Sequence, residues 1–508
     1  MKHAPTHAPP ASLDALCFDN SYARLPFAFH TRLAPAPLPS PVLVCASAPA
    51  MRLIGIDPAE AARPQFVDAF AGNRMLPGSD PLAAVYSGHQ FGSWSGQLGD
   101  GRAHLLGGVR TPAGTLELQL KGAGPTPYSR FSDGRAVLRS SIREFLCSEA
   151  MHALGVPTTR ALCIVGSPLP VQRETVETAA VVTRIAPSFV RFGTFEHFSA
   201  ADDCGRLLQL ADYVIEHFRP WLRDEPQPHA ALLADIARST GEMIAHWQAI
   251  GFMHGVMNTD NMSILGLTLD YGPFGFMETF DAGHICNRSD TCGRYAFRSQ
   301  PRIGLWNLYV LADALGPLIG HPDLTRELVD THYAPAFDAR FGQLMRARLG
   351  FATARPGDDD FIGATLGLLQ LQRVDYTLFF RTLGELPGIR TREAHGCTGA
   401  PVRDQPLRDL FADREACDAW LVRWRARLAR DGASDDVRRR AMRRANPRYV
   451  LRNWMADAAI RRARDGDFGE VDAVLRCLHA PFDDQPEFAH YAAPAPGRTS
   501  GMPVSCSS

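Results

Sequence analysis

Two short polar segments contain the side chains best suited to chemistry. The first, 254–261, ends in Asp260 and Asn261, and the second, Asp270-Tyr271-Gly272, follows an apolar run over 264–269. Magnesium ions prefer oxygen ligands, one or two of them from protein side chains and the others from nucleotide phosphates and water. Asn261 and Asp270 therefore predict a magnesium site. The alternative is a turn rich in Asn and Asp that joins a hairpin.

The order of these segments is similar to that of a protein-kinase catalytic loop and its metal-binding turn. Val256 occupies the position of the kinase base, and Asn261 occupies that of the metal-binding asparagine. The aspartate stands instead at position 260. The pattern therefore predicts either a pseudokinase without chemistry or a reacting hydroxyl that approaches a differently placed nucleotide.

Lysine is almost absent from the sequence. Of 53 lysines and arginines, only Lys2 and Lys121 are lysine. A compact ammonium and a broad guanidinium are not interchangeable at a tight phosphate or ion-pair site. Lys121 is therefore predicted to bind nucleotide phosphates. The alternative is a lysine without a function that was retained by chance on a surface strand. Glu144 could orient it, or could lie on a solvated helix face.

A dense glycine segment, Gly96–Arg102, lies upstream of the lysine. Glycines let a backbone turn approach phosphates closely and supply amide donors. The segment is neither a Walker A loop nor a dinucleotide fingerprint. It predicts a phosphate loop or, alternatively, a tight hairpin.

These residues need a sheet and helices to position them. Region 85–185 is glycine-rich with short alternating segments, which is typical of antiparallel strands. Alternation over 116–121 predicts that three leucines face a core and that the Lys121 ammonium points out of it. A helix is predicted over 136–154, with Gly155 as its C-cap and Glu144 at its middle.

The sequence changes to long amphipathic helices from about Gly205. The spacing predicts helices over 207–222, 230–250 and 303–318, with several more beyond Asp323. The last helices are predicted to end near His479. The Pro-, Gly- and Ser-rich residues that follow are predicted to form a tail.

Composition limits the function classes. The 508 residues carry a net charge of -1, which gives no electrostatic reason to expect nucleic acid or membrane. The basic run Arg438–Arg444 is interpreted as a solvated helix face. Without an apolar membrane span or a secretory signal, the protein is expected to be cytoplasmic. Eleven cysteines without a C-x-x-C pair do not predict a disulfide framework or a zinc site.

Several longer motifs resemble the selenoprotein O family, protein adenylyltransferases on a pseudokinase fold. The resemblance covers essentially the whole chain. It is carried by 18–25, 86–92, 120–124, 132–135, 254–275 and 506–508.

The resemblance implies an α+β, protein-kinase-like bilobal fold with a small β-rich N-lobe and a larger helical C-lobe. The expected divisions are an N-terminal extension on the core (1–80), the N-lobe with the nucleotide loop (81–200), the C-lobe with the catalytic loop and metal site (201–480), and a flexible redox tail (481–508). The protein is expected to be a monomer.

The resemblance also implies that ATP binds in a flipped orientation, so that AMP is transferred to Ser, Thr or Tyr hydroxyls of target proteins. Asp260 would accept the hydroxyl proton, Asn261 and Asp270 would hold Mg²⁺, and Glu144 would orient Lys121. Whether Mn²⁺ with UTP is used stays open. The residues implied to contact nucleotide are Gly99, Gly101, Arg102, Lys121, Asp133, Gly134, Arg184, Arg191 and Asp270.

Cys506 occupies the place where some relatives carry selenocysteine. The family suggests a redox disulfide from this tail to Cys286, with Cys292 as the alternative partner. Ordinary phosphoryl transfer and a catalytically inactive scaffold are the alternative functions. Val256 argues against the first, and the complete set of Lys121, Asp260, Asn261 and Asp270 argues against the second.

Overall fold

The computed structural model describes residues 12–388 and 402–495, and it combines an antiparallel sheet with many helices. The strands are β1 (His30–Arg32), β2 (Val42–Ala46), β3 (Leu82–Ala84), β4 (Ser87–Gln90), β5 (Ser93–Gln97), β6 (Ala103–Thr111), β7 (Gly114–Lys121), β8 (Ala136–Val137), β9 (Arg160–Gln172), β10 (Val176–Ala186), β11 (Phe252–Met253) and β12 (Gly275–Phe276). The helices are α1 (Ala48–Leu53), α2 (Pro64–Phe70), α3 (Leu138–Ala153), α4 (Phe192–Ala200), α5 (Cys204–Phe218), α6 (Pro228–Ile250), α7 (Gln300–Ile319), α8 (Pro322–Leu349), α9 (Asp358–Gln372), α10 (Tyr376–Leu383), α11 (Gln405–Arg408), α12 (Arg414–Ala429), α13 (Asp435–Ala445), α14 (Asn453–Arg464) and α15 (Gly469–His479). The α+β class is confirmed.

The main sheet has the order β1-β3-β6-β7-β10-β9-β2, and β8 also pairs with β10. Strand β7 lies near the centre, where Lys121 is opposite Ala103 of β6 and Val182 of β10. The two edge strands, β1 and β2, both come from the N-terminal part of the chain. Strands β4 and β5 form a separate hairpin.

Both faces of strand β7 are buried. Leu118 and Leu120 pack in an apolar cluster with Phe66 and Phe70 of helix α2. The opposite face carries Glu117, Gln119 and Lys121, which are also buried. Alternation correctly predicted that the lysine lies opposite the leucines. The ammonium points away from the leucine core, as expected, but it is buried, because distant segments cover the polar face too.

The predicted helices are present with shifted ends. Helices α3 and α6 end at glycines with positive φ, Gly155 at 79° and Gly251 at 74°, as expected for C-terminal glycines without a Cβ clash. The predicted helix 207–222 is too long at its C-terminus. Helix α5 ends at Phe218, and Pro220 begins a short 3-10 turn, since proline lacks the amide donor that would continue an α-helix.

The C-terminal part of the chain contributes further core. The last α-helix ends at His479, as predicted, and a 3-10 helix, Pro486–Ala492, follows it with Phe488 and Tyr491 buried. The described part of the expected tail is therefore packed. Within α13, Arg438 is buried and donates to the Leu386 carbonyl, so the interpretation of the basic run as a solvated face is wrong at this residue. In the described ranges, no helix is long and apolar enough to cross a membrane.

Burial of Glu117 predicts a pH-dependent stability. Burial raises the pKa of this carboxyl to about 8, although the Phe189 amide donates to it at 2.8 Å. The folded chain therefore holds this proton at pH values where the unfolded chain has released it, and the contribution of Glu117 to stability falls as pH rises from about 5 to about 8. Glu117→Gln keeps the acceptor for the amide and removes the titration.

We expect the free energy of unfolding of Glu117→Gln, measured by urea denaturation, to fall less than that of the wild type between about pH 5.5 and about pH 8.5. The difference should be at least about 1 kcal/mol, since one pKa unit corresponds to about 1.4 kcal/mol. Glu216→Gln, on the exposed face of α5, is the matched control. Equal pH dependence in Glu117→Gln and Glu216→Gln would contradict the prediction.

Candidate functional site

A cleft of about 840 Å³ lies where the sheet meets the polar segments of the helical part. Its walls are the glycine segment 99–102, the end of β7, the loop around Tyr128–Ser132, and the segments 256–261 and 270–273. The structure brings most of the residues that the sequence singled out to this cleft. Those that line it are Gly99, Gly101, Arg102, Lys121, Arg184, Arg191, Asp260, Asn261 and Asp270.

Lys121 connects the sheet to helix α3 and to the Asp270 turn. Its Nζ lies 2.7 Å from Glu144 Oε2 and 2.7 Å from Asp270 Oδ1. Both Lys121 and Glu144 are buried. A buried ion pair of this kind requires close geometry, because the charges lose their hydration. Lys121 therefore has a fixed position at the inner end of the cleft.

Asp270 is the centre of this charge cluster. Its φ of 55° is in the left-handed region, which is unusual for a residue other than glycine. Its carboxylate contacts Arg184 Nη1 at 2.6 Å and Arg191 Nη1 at 3.2 Å, besides Lys121. Burial alone would raise the pKa of Asp270, but the three cations outweigh it and hold the pKa well below its ordinary value. The group is therefore a carboxylate at any physiological pH.

Arg184 and Arg191 are both buried. Strand β10 carries Arg184, which also donates to the Gln119 amide oxygen. Arg191 precedes helix α4, donates to the Asp260 carbonyl at 2.8 Å, and lies 4.5 Å from the centre of the Tyr86 ring. These contacts hold two planar donors toward the cleft.

Asp260 lies in a 3-10 turn, Thr259–Asn261, and is 8% exposed. Its Oδ2 accepts from Gln90 Nε2 at 3.3 Å, and its Oδ1 has no hydrogen-bond partner within residues 12–388 and 402–495. Burial raises the pKa of Asp260 to about 6, although Arg191 lowers it. Among the described residues, the side chain is thus a carboxyl group with one buried oxygen that makes no hydrogen bond, and its affinity for protons is higher than usual.

Asn261 lies beside Asp260 and uses its amide nitrogen to donate to the Val256 carbonyl at 3.0 Å. This bond leaves the amide oxygen, which is the atom that a metal ion would take. The nearby Asp270 supplies a carboxylate. One amide oxygen and one carboxylate form a donor set that fits Mg²⁺ when nucleotide phosphates complete the coordination.

The glycine segment follows the cleft because side chains would not fit. Gly99 has a φ of 111°, and a Cβ at this position would lie 2.5 Å from the Tyr128 ring. A Cβ at Gly101 would lie 2.9 Å from the Tyr128 carbonyl. Arg102 is exposed and reaches the cleft. The tight contact with Tyr128 explains the glycines at 99 and 101, so the phosphate-loop prediction rests on position alone.

Three of the residues implied to bind nucleotide or to orient Lys121 do not line the cleft. Asp133 is exposed and pairs with Arg173 at 2.8 Å, and Gly134 packs against Gly124. Their neighbours Ser132 and Arg135 do line the cleft. Glu144 stands behind Lys121.

The structure describes two of the three cysteines named for the predicted redox disulfide. Cys286 is buried, and its thiol donates to the Pro273 carbonyl at 2.9 Å, close to the Asp270 turn. Cys292 is exposed. Cys506 lies outside the described residues, so the disulfide stays a prediction.

Sequence reasoning missed several residues of the site. Asp100 and Gln119 are buried, and Gln119 Nε2 donates to Asp100 Oδ2 at 3.2 Å. Gln119 shares a face of β7 with Lys121, so the alternation of the strand contained a signal for it. Tyr86 and Gln90 belong to the motif 86–92, to which no role had been given. Arg130 and Arg173 carried no recognisable signal.

Known proteins are similar to the chain over nearly its whole length. The family model described as "Protein adenylyltransferase SelO" matches residues 12–479. A protein of Dechloromonas aromatica (strain RCB) named "Protein nucleotidyltransferase YdiU" is 62% identical over 492 residues, which cover 97% of each chain. A protein of the same name from Herminiimonas arsenicoxydans is 54% identical over 512 residues, which cover 100% of this chain and 99% of the relative. The chain belongs to the protein adenylyltransferase SelO family and is a nucleotidyltransferase.

Proposed function

We propose that the protein transfers AMP from ATP to Ser, Thr or Tyr hydroxyls of target proteins in a Mg²⁺-dependent reaction. The observation that carries the proposal is the position of the Asp260 carboxylate in the wall of a strongly cationic cleft. We also infer a two-lobed arrangement of the kinase type, in which this cleft separates the sheet from the helical part.

The charge of the cleft supports a polyphosphate ligand. Seven of the lining side chains are arginine or lysine, and three are aspartate. Arginine forks and a lysine ammonium at close range are suited to the oxygens of a triphosphate. The arginines that accompany Lys121 are Arg102, Arg130, Arg135, Arg173, Arg184 and Arg191.

The chemical step is assigned to the Asp260 carboxylate, which lines the cleft. This carboxylate accepts the proton of the acceptor hydroxyl, whose oxygen attacks the α-phosphorus. The bond between the α-phosphorus and the oxygen that bridges to the β-phosphate breaks, and pyrophosphate leaves. Arg184 and Arg191 stabilise the charge that develops on the phosphate oxygens. The products are an AMP ester of the target and pyrophosphate.

Asn261 and Asp270 are the residues that would hold Mg²⁺. When bound, the ion neutralises phosphate charge in the ground state and in the transition state. Lys121, fixed by Glu144, orients the phosphates from its position beside Asp270. Phosphoryl transfer of the kinase type is disfavoured, because Val256 stands at the position of the kinase base and cannot accept a proton.

Isotope labelling distinguishes the possible reactions. We expect label from α-labelled ATP to appear on protein in the presence of Mg²⁺, because the proposed bond cleavage retains the α-phosphate. The acceptors are the protein itself and an extract of the cells that produce it, analysed by gel autoradiography. Label from γ-labelled ATP alone would overturn AMP transfer, and no label from either position would favour an inactive scaffold.

Asp260→Asn removes the proton acceptor and preserves the size of the side chain. General-base catalysis typically contributes about 10²- to 10⁴-fold, so we expect kcat for AMP transfer to fall by about that factor. Nucleotide affinity, measured by equilibrium binding of ATP, should change by less than about threefold. Asp224→Asn, in an exposed loop, is the control. Unchanged kcat in Asp260→Asn would remove Asp260 from the mechanism.

Lys121→Arg preserves the charge and changes its shape. A guanidinium does not fit between Glu144 and Asp270, each 2.7 Å from the ammonium, so we expect kcat/KM for ATP to fall at least about tenfold. The opposite exchange, Arg443→Lys, alters a surface pair with Glu385 and should have no such effect. Full activity of Lys121→Arg would show that the compact charge is not required.

A further inference from the structure

The hairpin β4–β5 holds the turn that carries Asp260. The His89 amide donates to Thr259 Oγ1 at 2.8 Å, and Gln90 Nε2 donates to Asp260 Oδ2 at 3.3 Å. The Phe91 amide donates to Asn258 Oδ1 at 3.1 Å. Three consecutive residues of the hairpin therefore bind three consecutive residues at the turn.

The hairpin approaches the turn without an intervening side chain. A Cβ at Gly88 would lie 3.0 Å from Thr259 Oγ1 and 3.2 Å from the Asp260 amide nitrogen. Such distances are tighter than most Cβ contacts, so a side chain at position 88 would push against the turn. The close packing of the hairpin against the Asp260 turn thus gives a structural reason for the glycine in the motif 86–92.

Helix α4 contacts both the hairpin and the turn. Glu196 on α4 is buried, and its Oε2 lies 2.6 Å from His89 Nδ1. The same His89 donates its amide to Thr259 Oγ1. His89 therefore connects helix α4 to the turn, and the Thr259 hydroxyl is the group of the turn that it holds.

Thr259 has no contact with the cleft. It is fully buried and does not line the cavity, whereas its neighbours Asp260 and Asn261 do. A loss of its hydroxyl would leave the His89 amide without its partner inside the protein. Buried polar groups without partners are costly, so the turn would shift to recover them.

We propose that Thr259 is a positioning residue, which fixes the turn Thr259–Asn261 against the hairpin β4–β5 through the His89 amide, so that the Asp260 carboxylate stays in the cleft. The inference rests on the proposed role of Asp260 as proton acceptor. It gives the motif 86–92 a function that does not require contact with nucleotide.

The experiment compares Thr259→Val, which has nearly the same shape without the hydroxyl, with Thr259→Ser, which keeps the hydroxyl. Thr240→Val on α6 is the matched control, since Thr240 is fully buried and its Oγ1 has no hydrogen-bond partner in the part of the chain that the structure describes. If Thr259→Val does not fold, Thr259→Ala removes the hydroxyl without placing a methyl group in its position. Each full-length variant is assayed for AMP transfer with α-labelled ATP, for ATP binding, and for hydrogen exchange.

We expect kcat of Thr259→Val to fall at least about tenfold, as one unmatched buried hydrogen-bonding group implies, with less than about threefold change in ATP affinity. Thr259→Ser should recover most of the activity, and Thr240→Val should behave as the wild type. Combining Thr259→Val with Asp260→Asn should cost no more than Asp260→Asn alone, because both act through one carboxylate.

Hydrogen exchange tests the position of the turn without reference to activity. The amides of Asn261 and Met262 bond to the carbonyls of Asn258 and Thr259 at 3.0 and 3.2 Å, and their exchange should accelerate in Thr259→Val but not in Thr259→Ser. Unchanged exchange would overturn the inference even if the wild type transfers AMP. Faster exchange with unchanged kcat would also overturn it. An inactive wild type would instead overturn the proposed function, while the exchange result still decides whether Thr259 holds the turn.

Discussion

The buried charge cluster around Asp270 is the interaction on which the other features of the site depend. Lys121, Arg184 and Arg191 face Glu144 and Asp270 with little access to water. Such charges are tolerated only where each finds a close partner, because the loss of hydration is costly. A sheet, a helix and a turn distant in sequence must therefore meet within fractions of an ångström. This requirement fixes the inner wall of the cleft.

The cluster is not neutral by itself. Three cations face two carboxylates, and further arginines stand around the opening. A surplus of positive charge in a partly buried site is unfavourable for the folded protein alone and favourable once an anion enters. Nucleotide binding should therefore be accompanied by stabilisation of the folded state, in proportion to affinity and concentration. The positive charge of the site therefore favours a bound anion over water.

The sequence predicted the local parts of this arrangement and missed the distant ones. Helical spacing placed Glu144 on the helix after the Lys121 strand, and glycines marked the ends of α3 and α6. Alternation could not reveal that the polar face of β7 is covered, since the covering segments lie far away in the chain. For the same reason, no local pattern showed that Arg184 and Arg191 are buried. Pro220 is a local signal for the end of α5, but apolar residues at helical spacing continue past it, so the predicted helix was too long.

The first and last strands of the main sheet come from neighbouring parts of the chain. Strand β1 pairs with β3, and strand β2 pairs with β9. The residues of β9 lie more than a hundred positions after those of β2. During synthesis β2 must wait for β9 before it can pair, and such non-local pairing is slow. Between the synthesis of β9 and its pairing with β2, one edge of this strand of 13 residues can pair with another chain. Once β2 is in place, the edge of the sheet is a strand of five residues, and short edge strands are poorer templates for other chains.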